Sequence, residues 1–276
     1  MKRLLLVTVF GMALLAGATR AEETAAEKLG WKLAYQCYTF RALSFFETVD
    51  IAQKQGVKYL EIYGGQKIKP DSPKGKVMGA GMTEEDITEV KKKLADAGGI
   101  KIVAFGVTGA DKGNFEFAKK MGIEVITSEA PESSFPEVEK RCVEYGIKVA
   151  LHNHPKPSHY WDAQTVLAGL TPEIKNIGAC ADTGHWVRSG LVPVECLKKL
   201  EGHIVSLHFK DLAANKQDAP WGTGNSDAKG QLAELKRQNF KGIFSIEYES
   251  TTGQTLIDNV GKCVEFFNAT AAELSK

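Results

Sequence analysis

Eight times along this chain a short β-type apolar run is followed by an amphipathic stretch, and that rhythm constrains the fold more than any other feature. The strand-like runs are 32–40 (KLAYQCYTF), 57–63 (VKYLEIY), 100–107, 123–128, 147–153 (IKVALHN), 177–182 (IGACAD), 204–209 and 242–247 (GIFSIE). Between them, helical spacing marks 43–56, with Phe45, Phe46, Val49, Ile51 and Ala52 on one face, then 84–97, 111–121 and 134–145. Further helices are predicted at 162–170, 192–200, 227–238 and 251–274. Thr83 followed by Glu84, Glu85 and Asp86 places acids at a positive helix end, and Gly98-Gly99, Gly122 and Gly146 mark stops. Long loops are expected at 64–81 and 213–225.

Strands regularly alternating with helices require parallel pairing through crossovers. Eight such units closing on themselves make an α/β fold of the (β/α)8 TIM barrel type, in a single domain; a doubly wound open sheet is the alternative. No compositional break divides the chain, and with 43% hydrophobic and 25% charged residues it is ordinary for a folded protein.

The first residues stand outside the rhythm. Lys2 and Arg3 precede an apolar stretch at 4–17, with small residues around its end at Ala16, Ala18 and Ala21, the layout of a secretory signal. About fourteen apolar residues make a helix of roughly 21 Å, short of a bilayer core of about 30 Å. The expectation is a signal peptide at 1–21, a barrel at 22–276, and an exported protein, periplasmic or secreted. No membrane anchor should remain after cleavage, since no cysteine lies there for lipid attachment.

The formal charge of +1 becomes −2 once Lys2, Arg3 and Arg20 leave with the leader, which disfavours a nucleic-acid partner. Five cysteines are an odd number at low density. Cys37 and Cys180 fall in strand-like runs and Cys142, Cys196 and Cys263 in helical ones, so buried free thiols are expected, with one disulfide left open. Self-association into a homo-oligomer is also left open.

In parallel α/β folds ligands gather where strands end. Here those ends carry Gln36, Tyr38 and Arg41; Glu61; Glu129; His152, Asn153 and His154; Asp182 with His185 and Trp186; His208, Lys210 and Asp211; Glu247 and Glu249. Four of the six histidines lie at the ends of strands five to seven; His159 and His203 do not. Imidazole nitrogen with carboxylate oxygen suits one divalent ion of the Mn, Co, Zn, Fe or Mg type. Asp182, His208 and Glu247 come from consecutive strands and should converge on the axis, with His152 placed to complete the set. Taken singly, each has a plainer role: a scaffold histidine, an aspartate capping a helix, a Glu247–Lys210 ion pair.

The runs ALHNHP (150–155), CADTGHW (180–186), SLHFKDL (206–212), PWGTG (220–224) and FSIEYE (244–249) resemble the xylose isomerase-like TIM barrels. These are commonly labelled sugar-phosphate isomerases/epimerases and include apurinic endonuclease relatives. The resemblance implies one divalent metal held by Glu, Asp, His and Glu from strands five to eight. The last three carry over onto Asp182, His208 and Glu247. The strand-five Glu does not: His152 stands there, within an HNH run, and Glu129, at the end of strand four, is the carboxylate that could replace it.

By that resemblance Glu247 is expected to contact the metal and move protons, with His152 or Glu129 acting from the opposite face. His154, His185, Lys210 and Glu61 are the candidates to bind substrate, and Trp186 and Trp221 to stack on a sugar. The glycines of 220–224 could bring backbone to a phosphate, although an exported enzyme would more naturally meet an unphosphorylated sugar. The implied activity is a metal-dependent isomerase or epimerase acting on a small carbohydrate through an enediolate. Alternatives are a lyase or hydrolase of 3-keto-glycosides by β-elimination, and a non-catalytic sugar-binding barrel.

Overall fold

The computed structural model describes residues 23–276, so the expected signal peptide at 1–21 lies outside the described residues. The barrel strands are β1 (Trp31–Gln36), β2 (Tyr59–Tyr63), β3 (Lys101–Gly106), β4 (Val125–Ser128), β5 (Lys148–His152), β6 (Ile177–Asp182), β7 (Ile204–Phe209) and β8 (Gly242–Ile246). All pair in parallel in the order β1-β8-β7-β6-β5-β4-β3-β2, and β1 against β2 closes the ring. The open-sheet alternative is thereby excluded.

The helices are α1 (Ala25–Lys28), α2 (Phe45–Lys54), α3 (Glu84–Asp96), α4 (Lys112–Met121), α5 (Phe135–Tyr145), α6 (Ala163–Ala168), α7 (Thr183–Arg188), α8 (Pro193–Lys199), α9 (Ala228–Arg237) and α10 (Gly253–Leu274). Their ends follow local chemistry. Thr83 and Asp86 form a reciprocal capping box on α3, and Ser44 with Glu47 does the same for α2. Gly122 and Gly146 end α4 and α5 in the left-handed conformation that glycine adopts without strain.

Four local features differ from the sequence expectation. The first strand stops at Gln36 rather than residue 40, because the Gln36 side chain accepts from the Tyr38 amide and turns Cys37–Phe40 into a 3-10 helix. Residues 64–81 form a folded lobe in which Lys67 bridges to Val77, and buried Ile68 and Met78 plug it onto the barrel. The 213–225 loop is anchored by a short antiparallel ladder, Asp211–Leu212 with Asp218–Ala219. Finally, α7 occupies the segment after β6 that reads as a plain turn. All five cysteines are free and buried.

Side chains alternate between the two faces of a strand. Outward residues such as Leu33, Tyr35, Leu60, Ile62, Leu207 and Phe209 meet the helices in the main core. Inward, Ala34, Ala104, Val125, Ala150, Cys180 and Ile243 fill the lower barrel as a separate apolar cluster. One pleat further along the same strands the inward positions become Gln36, Gly106, Thr127, His152, Asp182 and Ser245. The interior thus changes from small and apolar to polar in two residues of rise, about 7 Å.

Candidate metal centre and active-site cavity

At the carboxyl ends of β5 to β8, one ligand atom from each of His152, Asp182, His208 and Glu247 lies within 4.8 Å of all the others. Strand register accounts for the convergence: Asp182 pairs with His208 and His208 with Ser245, two residues before Glu247. Each group is then fixed from behind. Asp182 caps α7 by accepting the His185 amide at Oδ1, 2.7 Å, which leaves Oδ2 toward the cluster. Asn153 clasps the Asp182 backbone twice, its side chain accepting from the amide and donating to the carbonyl.

His208 is oriented by a buried carboxylate. Its Nε2 lies 2.9 Å from Glu61 Oε1, so the ring proton belongs on Nε2. Glu61 also accepts from Thr127 and Ser245, at 2.8 and 2.5 Å, and has no exposed surface. His208 Nδ1 then presents a lone pair to Glu247 Oε2, 3.2 Å away, and neither buried atom has a hydrogen bond. Two lone pairs so placed call for a cation between the groups, either a metal ion or a second ring proton. Burial works against a charged ring, yet the carboxylates of Glu61 and Glu247 hold the His208 pKa well above the usual imidazole range.

A second cation already serves the carboxylates. The Lys210 ammonium is fully buried, 3.0 Å from Asp182 Oδ2, 2.7 Å from Glu247 Oε2 and 2.9 Å from Glu249 Oε1. Only the contact to Glu249 is aligned as a hydrogen bond. Burial opposes its charge, but Asp182, Glu247 and Glu249 together hold the Lys210 pKa well above normal. The lysine stem explains Gly184: a Cβ there would sit 2.7 Å from Lys210 Cδ. Burial alone would raise both carboxylates. Instead the Lys210 ammonium holds Asp182 well below the usual range, and Lys210 and His208 do the same for Glu247.

His152 and His185 stay neutral. Burial lowers the His152 pKa, and burial pushes His185 down to about 3. Neutral His152 beside ionised Asp182 and Glu247 is the donor state that a divalent ion requires, and at His208 the ion would take the place of the second ring proton, so the residues present fit such an ion.

The cluster forms one wall of a cavity of about 600 Å3, lined also by Gln36, Tyr38, Tyr63, Glu129, His154 and His185. His154 Nδ1 lies 3.2 Å from Glu129 Oε1. That contact, ahead of opposing burial, lowers the Glu129 pKa and raises that of His154.

Thus His152, Asp182, His208, Glu247, Lys210, His185, His154 and Glu129 are brought together. Four expected substrate contacts do not line the cavity, Lys210 among them, because its ammonium is buried with the carboxylates. Glu61 is sealed behind His208 and does not reach the cavity, so its place is to orient the imidazole. Trp186 and Trp221 are buried in the shell, Trp221 against Phe209 and Phe267, and neither lines the cavity. The phosphate suggested for 220–224 is also corrected: Asp211 already accepts the amides of Gly222, Gly224 and Ser226, at 2.9, 2.9 and 3.0 Å.

Sequence reasoning missed Tyr63 on the opposite wall. Its signal was available, since it closes a strand on the same inward face as Glu61.

A family model described as "Xylose isomerase-like TIM barrel" matches residues 115–270. Among solved structures, an uncharacterised protein from Parabacteroides distasonis ATCC 8503 is 33% identical, with a TM-score of 0.70 over 86% of this chain and 98% of that one. Two more distant likenesses concern the fold alone. A xylose isomerase-like TIM barrel protein from Mycobacterium smegmatis, in complex with magnesium, is 13% identical, TM-score 0.71, over 92% and 99% of the two chains. The D-allulose 3-epimerase from Methylomonas sp., in complex with D-allulose, is 12% identical, TM-score 0.67, over 87% and 96%. None of the curated proteins matches the chain.

Proposed function

The chain belongs to the xylose isomerase-like TIM-barrel family, and we propose that within it the protein is a divalent-metal-dependent isomerase or epimerase of a sugar or keto-sugar. One observation carries this: His208 Nδ1 and Glu247 Oε2 lie buried 3.2 Å apart with no aligned hydrogen bond, Lys210 pairing with the carboxylate by charge alone, in a ligand set completed by His152 and Asp182. Solved structures of the same fold include a sugar epimerase holding its sugar and a barrel holding magnesium, which agrees with it. The residues that would hold the ion are His152, Asp182, His208 and Glu247. When bound, a divalent ion would polarise a substrate carbonyl and stabilise negative charge on its oxygen.

The protein's own groups do the rest. Removing a proton from the carbon beside a carbonyl needs a base within hydrogen-bond reach and a partner for the developing oxyanion. Glu247 is kept ionised by Lys210 and His208 and lines the cavity, so it is the base on this wall. The Lys210 ammonium keeps that carboxylate charged and positioned. On the other side Glu129 engages His154 Nδ1, which leaves His154 Nε2 as the nitrogen able to return a proton to the opposite face. We place Glu129 behind His154 as an orienting group.

A second reading keeps the same proton abstraction and then expels a group β to the carbonyl, as in a 3-keto-glycoside. The histidine at position 152, where the family pattern has a carboxylate, favours it, because one matched acid/base group is lost. Export through residues 1–21 remains part of the proposal and directs it to unphosphorylated sugars.

The test is metal analysis with solvent deuterium exchange. Purified protein is loaded with Mn²⁺ and offered ketoses and 3-keto-glycosides in D₂O. Deuterium at the α-carbon without bond cleavage supports isomerase or epimerase, whereas release of the leaving group supports the lyase. If no metal is retained, or Glu247→Gln exchanges as fast as wild type, the proposed function is wrong.

A further inference from the structure

Opposite the ligand set, the β1–β2 side of the mouth carries an aromatic surface that the proton chemistry leaves unused. The 3-10 helix after β1 holds Tyr38 at the rim, fixed by the hydrogen bond its backbone N–H donates to Gln36 Oε1 at 2.5 Å. Its ring meets that of Tyr63, at the end of β2, edge to face with centroids 5.2 Å apart. The Arg41 guanidinium lies 4.9 Å over the Tyr38 ring and is itself held by the carbonyls of Tyr38 and Glu249. Tyr38 nevertheless remains 39% exposed, among the few large hydrophobic residues left so in the described chain. Both tyrosines line the cavity. In an eight-stranded ring β1 and β2 stand across the axis from β5 and β6, so this surface faces the histidines rather than adjoining them.

Volume supplies an independent observation. A pyranose has twelve non-hydrogen atoms; even at the ~30 Å3 that each water occupies in the liquid, twelve such units fill about 360 Å3. The cavity measures about 600 Å3. One sugar ring against the ligand set therefore leaves room for another group, and the lining on that side is aromatic. Beside Tyr63 the wall is open at Gly64, where an added Cβ would meet no atom within 4 Å.

We propose that Tyr38 and Tyr63, braced by Arg41, form a second subsite, and that the substrate is a two-ring molecule. A glycosyl ring lies against His152, His154 and Glu247, and its ring-shaped substituent rests on the tyrosines. The subsite rests on the sugar-active assignment made above. A flat apolar face is what two tyrosines recognise, and either a second pyranose or an aryl group offers one.

The test is calorimetric titration of the Mg²⁺-loaded protein with methyl α-D-glucopyranoside, trehalose and 4-nitrophenyl α-D-glucopyranoside. The expected result is that trehalose, the nitrophenyl glycoside or both bind about tenfold tighter than the methyl glycoside, the worth of one aromatic contact. Which of the two binds tighter tells whether the second ring is a sugar or an aryl group. Tyr38→Ala should narrow the two-ring to one-ring ratio by about the same factor, and Tyr38→Phe should restore it. Because Tyr38 is a rim residue outside the core, the Ala variant is expected to fold, which its thermal unfolding checks. Equal affinity for all three glycosides, or an unchanged ratio in Tyr38→Ala, overturns the subsite while leaving the sugar site standing. Binding of none of them also overturns the subsite, while the sugar assignment is decided by the deuterium-exchange test.

Discussion

The two walls of the cavity are built from opposite materials. Along β5 to β8 the inward strand ends carry His152, Asp182, His208 and Glu247, with Lys210 sealed among them. Along β1 and β2 the mouth carries Tyr38 and Tyr63, and the single carboxylate there, Glu61, is hidden and points its function at His208. The charged wall is rigid by necessity, because each buried charge must keep its partners or pay a large desolvation penalty. The aromatic wall has no such obligation and stands on a 3-10 turn and a folded lobe. Chemistry is thus assigned to the wall that cannot move, and recognition to the wall that can change its sequence without stranding a charge.

That division can be broken experimentally. Glu247→Gln should have the largest effect, lowering α-carbon exchange by about 10³-fold, within the range for loss of a general base; the initial rate of deuterium incorporation measures it. Lys210→Met should come next. It leaves Asp182 and Glu247 facing each other without the ammonium, and urea unfolding of the metal-free protein should show a loss of about 3–5 kcal/mol. If that variant is as stable as wild type, the charged wall is not held by its lysine.

Glu61→Gln sharpens the comparison, because the residue sits on the aromatic side and serves the charged one. Metal affinity should fall about 10- to 100-fold, the usual cost of losing a carboxylate behind a ligating histidine, read by competition with a chromogenic chelator. A change confined to sugar affinity would return Glu61 to the recognition wall.

The smallest effect belongs to the support of the aromatic wall. Asp86 pairs with Lys76 of the 64–81 lobe at 2.7 Å and caps α3 through Thr83. The Lys76 contact, ahead of opposing burial, lowers the Asp86 pKa. Its contribution is therefore fully present above the ordinary aspartate value of about 3.9 and lost as pH falls through the lowered one. Asp86→Asn should cost about 1 kcal/mol at neutral pH and progressively less below about pH 4. Urea titrations at the two pH values check this.

The barrel was legible because strand endings and helix caps are short-range signals. Thr83 with Asp86 and the glycines at 122 and 146 each mark a boundary through local chemistry. The metal-ligand candidates were legible for a related reason, since in a parallel barrel a polar residue ending a strand has one place to go. What escaped the sequence depends on partners far along the chain. Trp186 and Trp221 sit beside strand-end motifs yet turn into the shell, because the ladder at 211–219 and α7 redirect them. The Glu61–His208 bond spans 147 residues. Even so, Glu61 carried a signal: it is the lone charge in YLEIY, on the inward face of a strand, so it had to find a buried partner.

The five thiols give the molecule a property separate from its chemistry. Burial pushes all of their pKa values up, with Cys142, Cys196 and Cys263 at about 12, so little thiolate exists to react while the fold is closed. They are spread around the ring: Cys37 follows β1, Cys142 lies in α5, Cys180 in β6, Cys196 in α8 and Cys263 in α10. Each is a built-in reporter of opening in its own sector. The order in which an alkylating reagent reaches them would chart, without any introduced label, which part of the barrel lets go first.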